Sequence, residues 1–410
     1  MRINKITGES CKTTRSLWEE VFYEDSVQFT DYYFSNKADK NIGYVIGQAP
    51  YDAMMFRTPY TLQIGKEQRE ISYIVGVATR KECRHRGYMR KLLMHSFEEM
   101  YREKEPFAFL MPANPTIYEP FDFRYIYERD MWKLKEGIVL EEYVKSEEVT
   151  GQQEAESKII CVKTDSAKLN TADELLSGEE LKAAEFQGND NIINGLYSVN
   201  SLQKQFPDFP ILFMLVEFAN NYLEKHFNIY VHRDEAYYEM QMKELAAQNG
   251  DIYVLFEQSK IKAFFLYAKE GDEVFIQEVM ETEEGILNFL QKEEKKKPII
   301  MARIIHLEEM MKLVCCKEPR KLIIEIEDDL ISQNAGIYDW EITPNGSKVT
   351  KLKSKTNLKK ELKADGSADE VLKGKSKVNW EIEESVQKIT MHIRELAPLI
   401  LQGVFLNEIV

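Results

Sequence analysis

The run Ile74-Val75-Gly76-Val77-Ala78-Thr79 is apolar and strand-like, and it gives way to a basic turn that ends Arg84-His85-Arg86-Gly87-Tyr88. A strand that stops, a basic turn and a helix N-terminus leave several backbone N–H groups unpaired and pointing one way, with the helix dipole adding partial positive charge. That arrangement is built for a phosphate, and Gly87 permits the close approach of a diphosphate. Arg84, Arg86 and Arg90 add charge, although basic helix starts also occur on ordinary solvated helices. Arg84-x-x-Gly87 alone is a pattern that chance produces often. Its context raises it.

The elements that must position this turn are legible around it. Apolar positions from Ser16 to Phe34 recur at helical spacing and break at Glu24-Asp25, which predicts two short helices. Tyr44–Ile46, Ala53–Phe56, Tyr60–Ile64 and Ser72–Thr79 read as consecutive strands, with turns at Gln48-Ala49-Pro50, Thr58-Pro59 and Gly65-Lys66. After Gly87, Met89, Leu92, Leu93, Phe97 and Met100 form the apolar face of an amphipathic helix. Phe107–Met111 is then the next strand, beside Ile74–Ala78 in a βαβ arrangement, so the first unit is α/β and ends near Leu140.

A polar, acidic stretch from Glu141 to Glu156 predicts a linker. Beyond it, strand-like runs (Asn228–Val231, Asp251–Phe256, Lys262–Tyr267, Glu273–Val279) alternate with helical ones (Tyr237–Ala247, Glu284–Glu294), an α+β pattern. The charged tract Lys292–Lys297, closed by Pro298, marks a further boundary. The last unit has a helix at Leu307–Leu313, strands at Lys321–Glu327, Gly336–Thr343, Val349–Lys353 and Val378–Glu383, and a helix Ile389–Leu396 that Pro398 breaks. The expected units are residues 1–145, 146–297 and 298–410.

The order of strand Val77-Ala78-Thr79, turn Arg84-His85-Arg86-Gly87-Tyr88-Met89, amphipathic helix, strand Phe107–Met111 and the segment Ile117-Tyr118-Glu119-Pro120-Phe121-Asp122-Phe123 resembles the core of GNAT acetyltransferases. With the three-part length and an apolar C-terminus, it resembles the enhanced intracellular survival (Eis) family more narrowly. The resemblance implies an α+β fold: tandem GNAT folds, the second degenerate, followed by a sterol-carrier-protein-like domain. It implies acetyl-CoA as donor, held by Val77, Ala78, Thr79, Arg84, His85, Arg86, Gly87 and Tyr88. Direct attack of an amine on the thioester is implied too, with the Val77 amide at the thioester oxygen and Tyr118 as proton donor. Two departures stand out: Met89 replaces the small residue common after Tyr88, and Asp122 stands where glycine is usual. Asp is among the few non-glycine residues tolerated at positive φ.

For the acceptor, Asp25, Phe29, Asp31 and Tyr33 offer the acidic and aromatic groups that suit an ammonium, or else are the amphipathic faces of short helices. The attacking amine must lose a proton. The resemblance gives that role to the terminal α-carboxylate at Val410, in an apolar tail expected to be buried, with Glu408 as the other carboxylate.

With 69 acidic and 54 basic side chains the net charge of -15 disfavours nucleic acid and anionic membranes and suits an amine substrate, though acidic composition also serves solubility. No secretory signal opens the chain and no run approaches the ~20 residues of a membrane span, so a cytoplasmic protein is expected. Five scattered cysteines and the lack of a ligand cluster predict reduced thiols and no metal. The acceptor is a small amine or a lysine-bearing molecule, and the resemblance implies a homo-oligomer, as large as a hexamer. The alternative is an acetyl-CoA sensor or apolar-ligand carrier without catalysis.

Overall fold

The structure, a computed structural model, describes residues 2–144, 158–164, 195–271, 273–352 and 388–407. The chain opens with β1 (Ile3–Thr7), α1 (Arg15–Val21), α2 (Val27–Asn36), β2 (Ile42–Ile46), β3 (Ala53–Ile64), β4 (Glu67–Thr79), α3 (Tyr88–Arg102), β5 (Phe107–Leu110) and β6 (Arg124–Arg129). Next come β7 (Trp132–Leu134), β8 (Ile138–Val144), β9 (Lys158–Thr164), β10 (Gly195–Ser198), α4 (Val199–Gln205), α5 (Ile211–His226), β11 (Ile229–Val231) and α6 (Glu235–Ala247). The middle continues as β12 (Asp251–Glu257), β13 (Lys260–Glu270), β14 (Glu273–Glu281), β15 (Leu290–Lys292), β16 (Lys297–Ile304) and α7 (Leu307–Leu313). The last described elements are β17 (Arg320–Glu327), β18 (Gly336–Thr343), β19 (Gly346–Leu352), β20 (Lys388–His392), α8 (Ile393–Ile400) and β21 (Val404–Phe405).

The first sheet runs β1-β2-β3-β4-β5-β16-β6, with β11 added beside the far end of β3 and β21 beside β11. The second runs β10-β12-β13-β14-β7-β15, and the third β19-β18-β17-β20. The fold is mixed α+β.

Sheet membership crosses the expected unit boundaries. β16 begins where the third unit was expected to start, yet it lies antiparallel between β5 and β6, pairing Met301 with Leu110 and Ala302 with Arg124. β11 and β21 also join the first sheet, while β7 leaves it for the second. A charged tract reads as a boundary because it is solvated, but here it ends in a strand whose Ile299–Ile304 are all buried.

Other local expectations are corrected. Pro59 does not break a strand: along β3 the pairing with β2 stops at Arg57 and that with β11 starts at Leu62, so the missing N–H faces an unpaired stretch. Glu284–Glu294 is not a helix: Gly285 takes φ 85°, Leu287 and Phe289 turn into the core, and Leu290–Lys292 pairs with β7. Ile389–Leu396 is half strand: β20 pairs parallel with β17, His392 caps the following helix, and Pro398 lies inside α8 instead of ending it. Glu141–Val144, expected as linker, belongs to β8, whereas the rest of that stretch and Val378–Glu383 lie outside the described residues.

α3 follows the predicted pattern, with Leu92, Leu93, Phe97 and Met100 fully buried against Tyr44, Met55, Leu110 and Phe123. Each such side chain is worth about 1.5–3 kcal/mol on burial, which anchors the helix whose first turn faces the basic loop.

Candidate active site

β4 and β5 are parallel but pair only at Tyr73 and Phe109. β4 runs on to Thr79 without its neighbour, so the two strands part toward their C-terminal ends. On its other side β4 carries a bulge: Met54 faces Ala78 and Phe56 faces Val75, which leaves Gly76 and Val77 opposite Met55 alone. Gly76 sits at φ 62°, and a Cβ there would lie 2.9 Å from Trp18 Cζ3 and 3.0 Å from Phe56 Cδ2. Glycine is therefore required twice over, by backbone conformation and by the indole packed on it. The bulge interrupts the ladder beside the half-exposed Val77.

The turn beyond β4 uses two left-handed residues on either side of Arg86, His85 (φ 61°) and Gly87 (φ 73°), to swing the chain into α3. Arg84 Nε donates to the Thr79 carbonyl at 3.2 Å, and Arg86 Nη2 donates to the Glu82 carbonyl at 2.9 Å. These bonds fold the exposed guanidiniums over the turn. A Cβ on Gly87 would meet nothing within 4 Å. The mouth of the turn is open, and the first-turn amides of α3, which have no intrahelical partner, face it. Tyr88 is a core residue beneath the helix.

Tyr118 lies between two short 3-10 turns after β5, half-buried, with its ring edge-on to Phe123 at 6.0 Å between centroids. Burial pushes its phenol up from the ordinary value near 10 to about 12. Asp122 occupies the left-handed position expected of it (φ 64°, ψ 18°). It is buried, and its Oδ2 accepts from Arg303 Nη1 on β16 at 3.1 Å, while Arg303 Nη2 reaches both oxygens of Asp328 at 3.0 and 3.2 Å. His392, the cap of α8, has Nδ1 3.9 Å from Asp122 Oδ1. The tyrosine-bearing turn is thus tied to β16 and α8. Arg90 on α3 closes the other side, its guanidinium 5.7 Å from the Phe121 ring.

Of the acceptor candidates, Asp25 Oδ2 accepts from Trp18 Nε1 at 2.8 Å, and Trp18 covers Gly76, so Asp25 reaches the bulge through one side chain. Tyr33 is a core residue instead of an exposed aromatic: it stacks on Trp18 at 4.3 Å and its hydroxyl accepts from Asn41 Nδ2 at 2.9 Å. Phe29 is half-buried against Tyr32, whose hydroxyl donates to Glu244 on α6 at 3.1 Å. Glu408 and Val410 lie outside the described residues. Arg303, Asp328 and His392 carry no spacing signal linking them to Tyr118 and went unread in the sequence.

Residues 2–126 match the family of acetyltransferase (GNAT) domains. The chain carries a GNAT acetyltransferase domain. No curated protein matches the chain significantly. Solved structures similar to it include a probable N-acyltransferase of Enterococcus faecalis V583 (TM-score 0.64, 12% identity) and a GCN5-related N-acetyltransferase of Anabaena variabilis (0.58, 14%). Eis1 of Mycobacterium abscessus is a third (0.57, 9%). Each alignment covers 98% of this chain and 90% of the other, and at such identities it establishes the fold.

Residues 2–126 are thus an N-acetyltransferase domain, and GNAT acetyltransferases use acetyl-CoA as their acetyl donor. The residues present fit that donor, with parted strands, an interrupted ladder at Val77, open space at Gly87 and three arginines around the turn. Among the described residues no helix is long and apolar enough to cross a membrane.

Proposed function

We propose that the chain moves the acetyl group of acetyl-CoA to a primary amine by direct attack, the acceptor being a small amine or a lysine-bearing molecule. The observation that supports this best is the bulge at Gly76–Val77, set where β4 has left β5 and next to the open Gly87 turn. In this reading acetyl-CoA supplies the activated thioester. Val77 offers its amide to the thioester oxygen, and Thr79, Ala78, His85, Tyr88 and Gly87 shape the backbone that receives the diphosphate. Arg84 and Arg86 exchange their intramolecular carbonyl bonds for phosphate.

Tyr118 is the general acid for the leaving thiolate; with its phenol near 12 it is protonated at every working pH. Asp25 and Phe29 present the acceptor side, and the α-carboxylate at Val410, or failing that Glu408, takes the ammonium proton. We read the second sheet as a degenerate GNAT fold and the third as sterol-carrier-like, in a cytoplasmic homo-oligomer as large as a hexamer. An acceptor panel of polyamine, aminoglycoside, lysine peptide and arylamine, incubated with acetyl-CoA and read by mass spectrometry, tests the activity. Acetylated product in one class is expected, and none in any class overturns the reading.

A further inference from the structure

A cavity of ≈770 Å³ opens where β6, β14 and β21 converge, lined among others by Tyr127, Arg129, Gln277, Glu281, Phe405 and Asn407. Its described lining includes neither Tyr118 nor any residue from Val77 to Tyr88. Arg129 Nη1 donates to Asn407 Oδ1 at a long 3.5 Å, and Nε is buried without a hydrogen-bond partner among the described residues. No described carboxylate pairs with this guanidinium. Glu278, an acid whose charge acts on it, gives both oxygens to Arg233 at 2.6 and 2.9 Å. Burial accordingly holds the Arg129 guanidinium below the ordinary arginine range.

Glu281 on β14 is the converse case. Its Oε1 accepts from the Gly285 amide at 3.1 Å, its Oε2 is buried without a partner, and no described cation pairs with it. The neighbouring Asp130 is already held by Lys292 and Lys296 at 2.8 and 3.2 Å. One cavity therefore contains a cation lacking an anion and an anion lacking a cation, and the two do not pair with each other. Desolvating a lone charge costs several kcal/mol, and water can bond to such groups without neutralising them. A ligand bearing both signs satisfies both. Apolar surface stands ready for its organic body, where the Phe405 ring packs 5.7 Å from Tyr127 and 4.9 Å from Phe227.

We propose that this cavity binds a small zwitterion of the amino acid or dipeptide class, its carboxylate on Arg129 and its ammonium on Glu281. The volume lies within the range of small-molecule sites. The site is a second ligand position, and its occupancy does not depend on whether the chain acetylates what it holds.

Thermal-shift and calorimetric titrations of the full chain, with the common L-amino acids and with dipeptides at millimolar concentration, test it. The decarboxylated amine and the deaminated acid of the best compound serve as controls. The expected result is a rise in Tm with a compound of one class, and at least about a tenfold loss of affinity when either charged group is removed from the ligand. A similar loss is expected in Arg129→Gln and Glu281→Gln, with Arg129→Lys intermediate and acetyl-CoA affinity unchanged as the measure of an intact fold. The proposal is overturned if no zwitterion binds, if the two controls bind as well as the parent, or if both variants bind like the wild type. The relative affinities of amino acids and dipeptides identify which the cavity takes.

Discussion

Asp122 and Arg303 are joined across 181 positions of sequence by a buried 3.1 Å ion pair, and the turn that carries Tyr118 is held in place by it. Arg303 also grips Asp328 through both oxygens, so one guanidinium from β16 pairs with two carboxylates.

Arg303→Met is expected to be costly, because it leaves Asp122 and Asp328 buried without a cation, a loss of about 3–5 kcal/mol. Asp122→Asn should cost about 1–2 kcal/mol, since Asn tolerates the left-handed backbone and Arg303 keeps Asp328. Urea unfolding of the two variants checks the order. Equal stabilities would show that the pair is not what fixes the turn.

Tyr118→Phe should lower kcat by roughly 10² to 10⁴-fold and spare acetyl-CoA binding, because only proton donation is lost. Its folded pKa is raised, so the stability this implies is fully present below pH 10 and is lost as pH rises from about 10 to about 12. Any alkaline fall in rate below pH 10 then belongs to another group and should persist in Tyr118→Phe. A wild-type limb near pH 9 that vanishes with the phenol would refute the raised pKa, and a fully active Tyr118→Phe would refute the donor assignment.

Arg84→Ala should weaken acetyl-CoA about 10- to 100-fold, the scale of one charge-assisted phosphate contact. Stability should barely change, since the exposed side chain gives up only its bond to the Thr79 carbonyl. Calorimetric titration decides, and unaltered affinity removes Arg84 from the site.

Gly76→Ala forces a methyl into the space of Trp18 and Phe56 at positive φ, a destabilisation of about 1–3 kcal/mol. Because the role proposed for the bulge is to aim the Val77 amide, kcat should fall by more than the KM for acetyl-CoA rises. Steady-state kinetics on the folded fraction separates the two effects, and a variant impaired in KM alone would detach the bulge from the chemistry.

Extending the chain by a few residues past Val410 should abolish most activity while acetyl-CoA still binds, and Glu408→Gln should be milder. Full activity in the extended protein would exclude the terminal carboxylate as the base.

Periodicity made α3 and β5 legible because Leu92, Leu93, Phe97 and Met100 repeat on one face and Phe107–Leu110 is a short, wholly buried run. The Gly87 turn was legible because a basic turn ending in glycine stands between an apolar strand and an amphipathic run. β16 was not, since nothing in Pro298–Ile304 says which of two sheets will accept it. Tyr33 misled for a related reason: an aromatic beside an acid looks like an ammonium site, and only packing shows its ring lying on Trp18. The Arg303 cluster was invisible because ion pairs between distant segments leave no spacing in the sequence.

β16 also sets the order in which the molecule can be made. At the ribosome, where chains emerge at about 5–20 residues per second, β5 and β6 appear long before Lys297–Ile304, the strand that must lie between them. Until it arrives, each offers an open edge to any neighbouring chain, a standing invitation to aggregate. The nascent protein therefore has a vulnerable age, and a fragment cut at the end of β6 would never outgrow it.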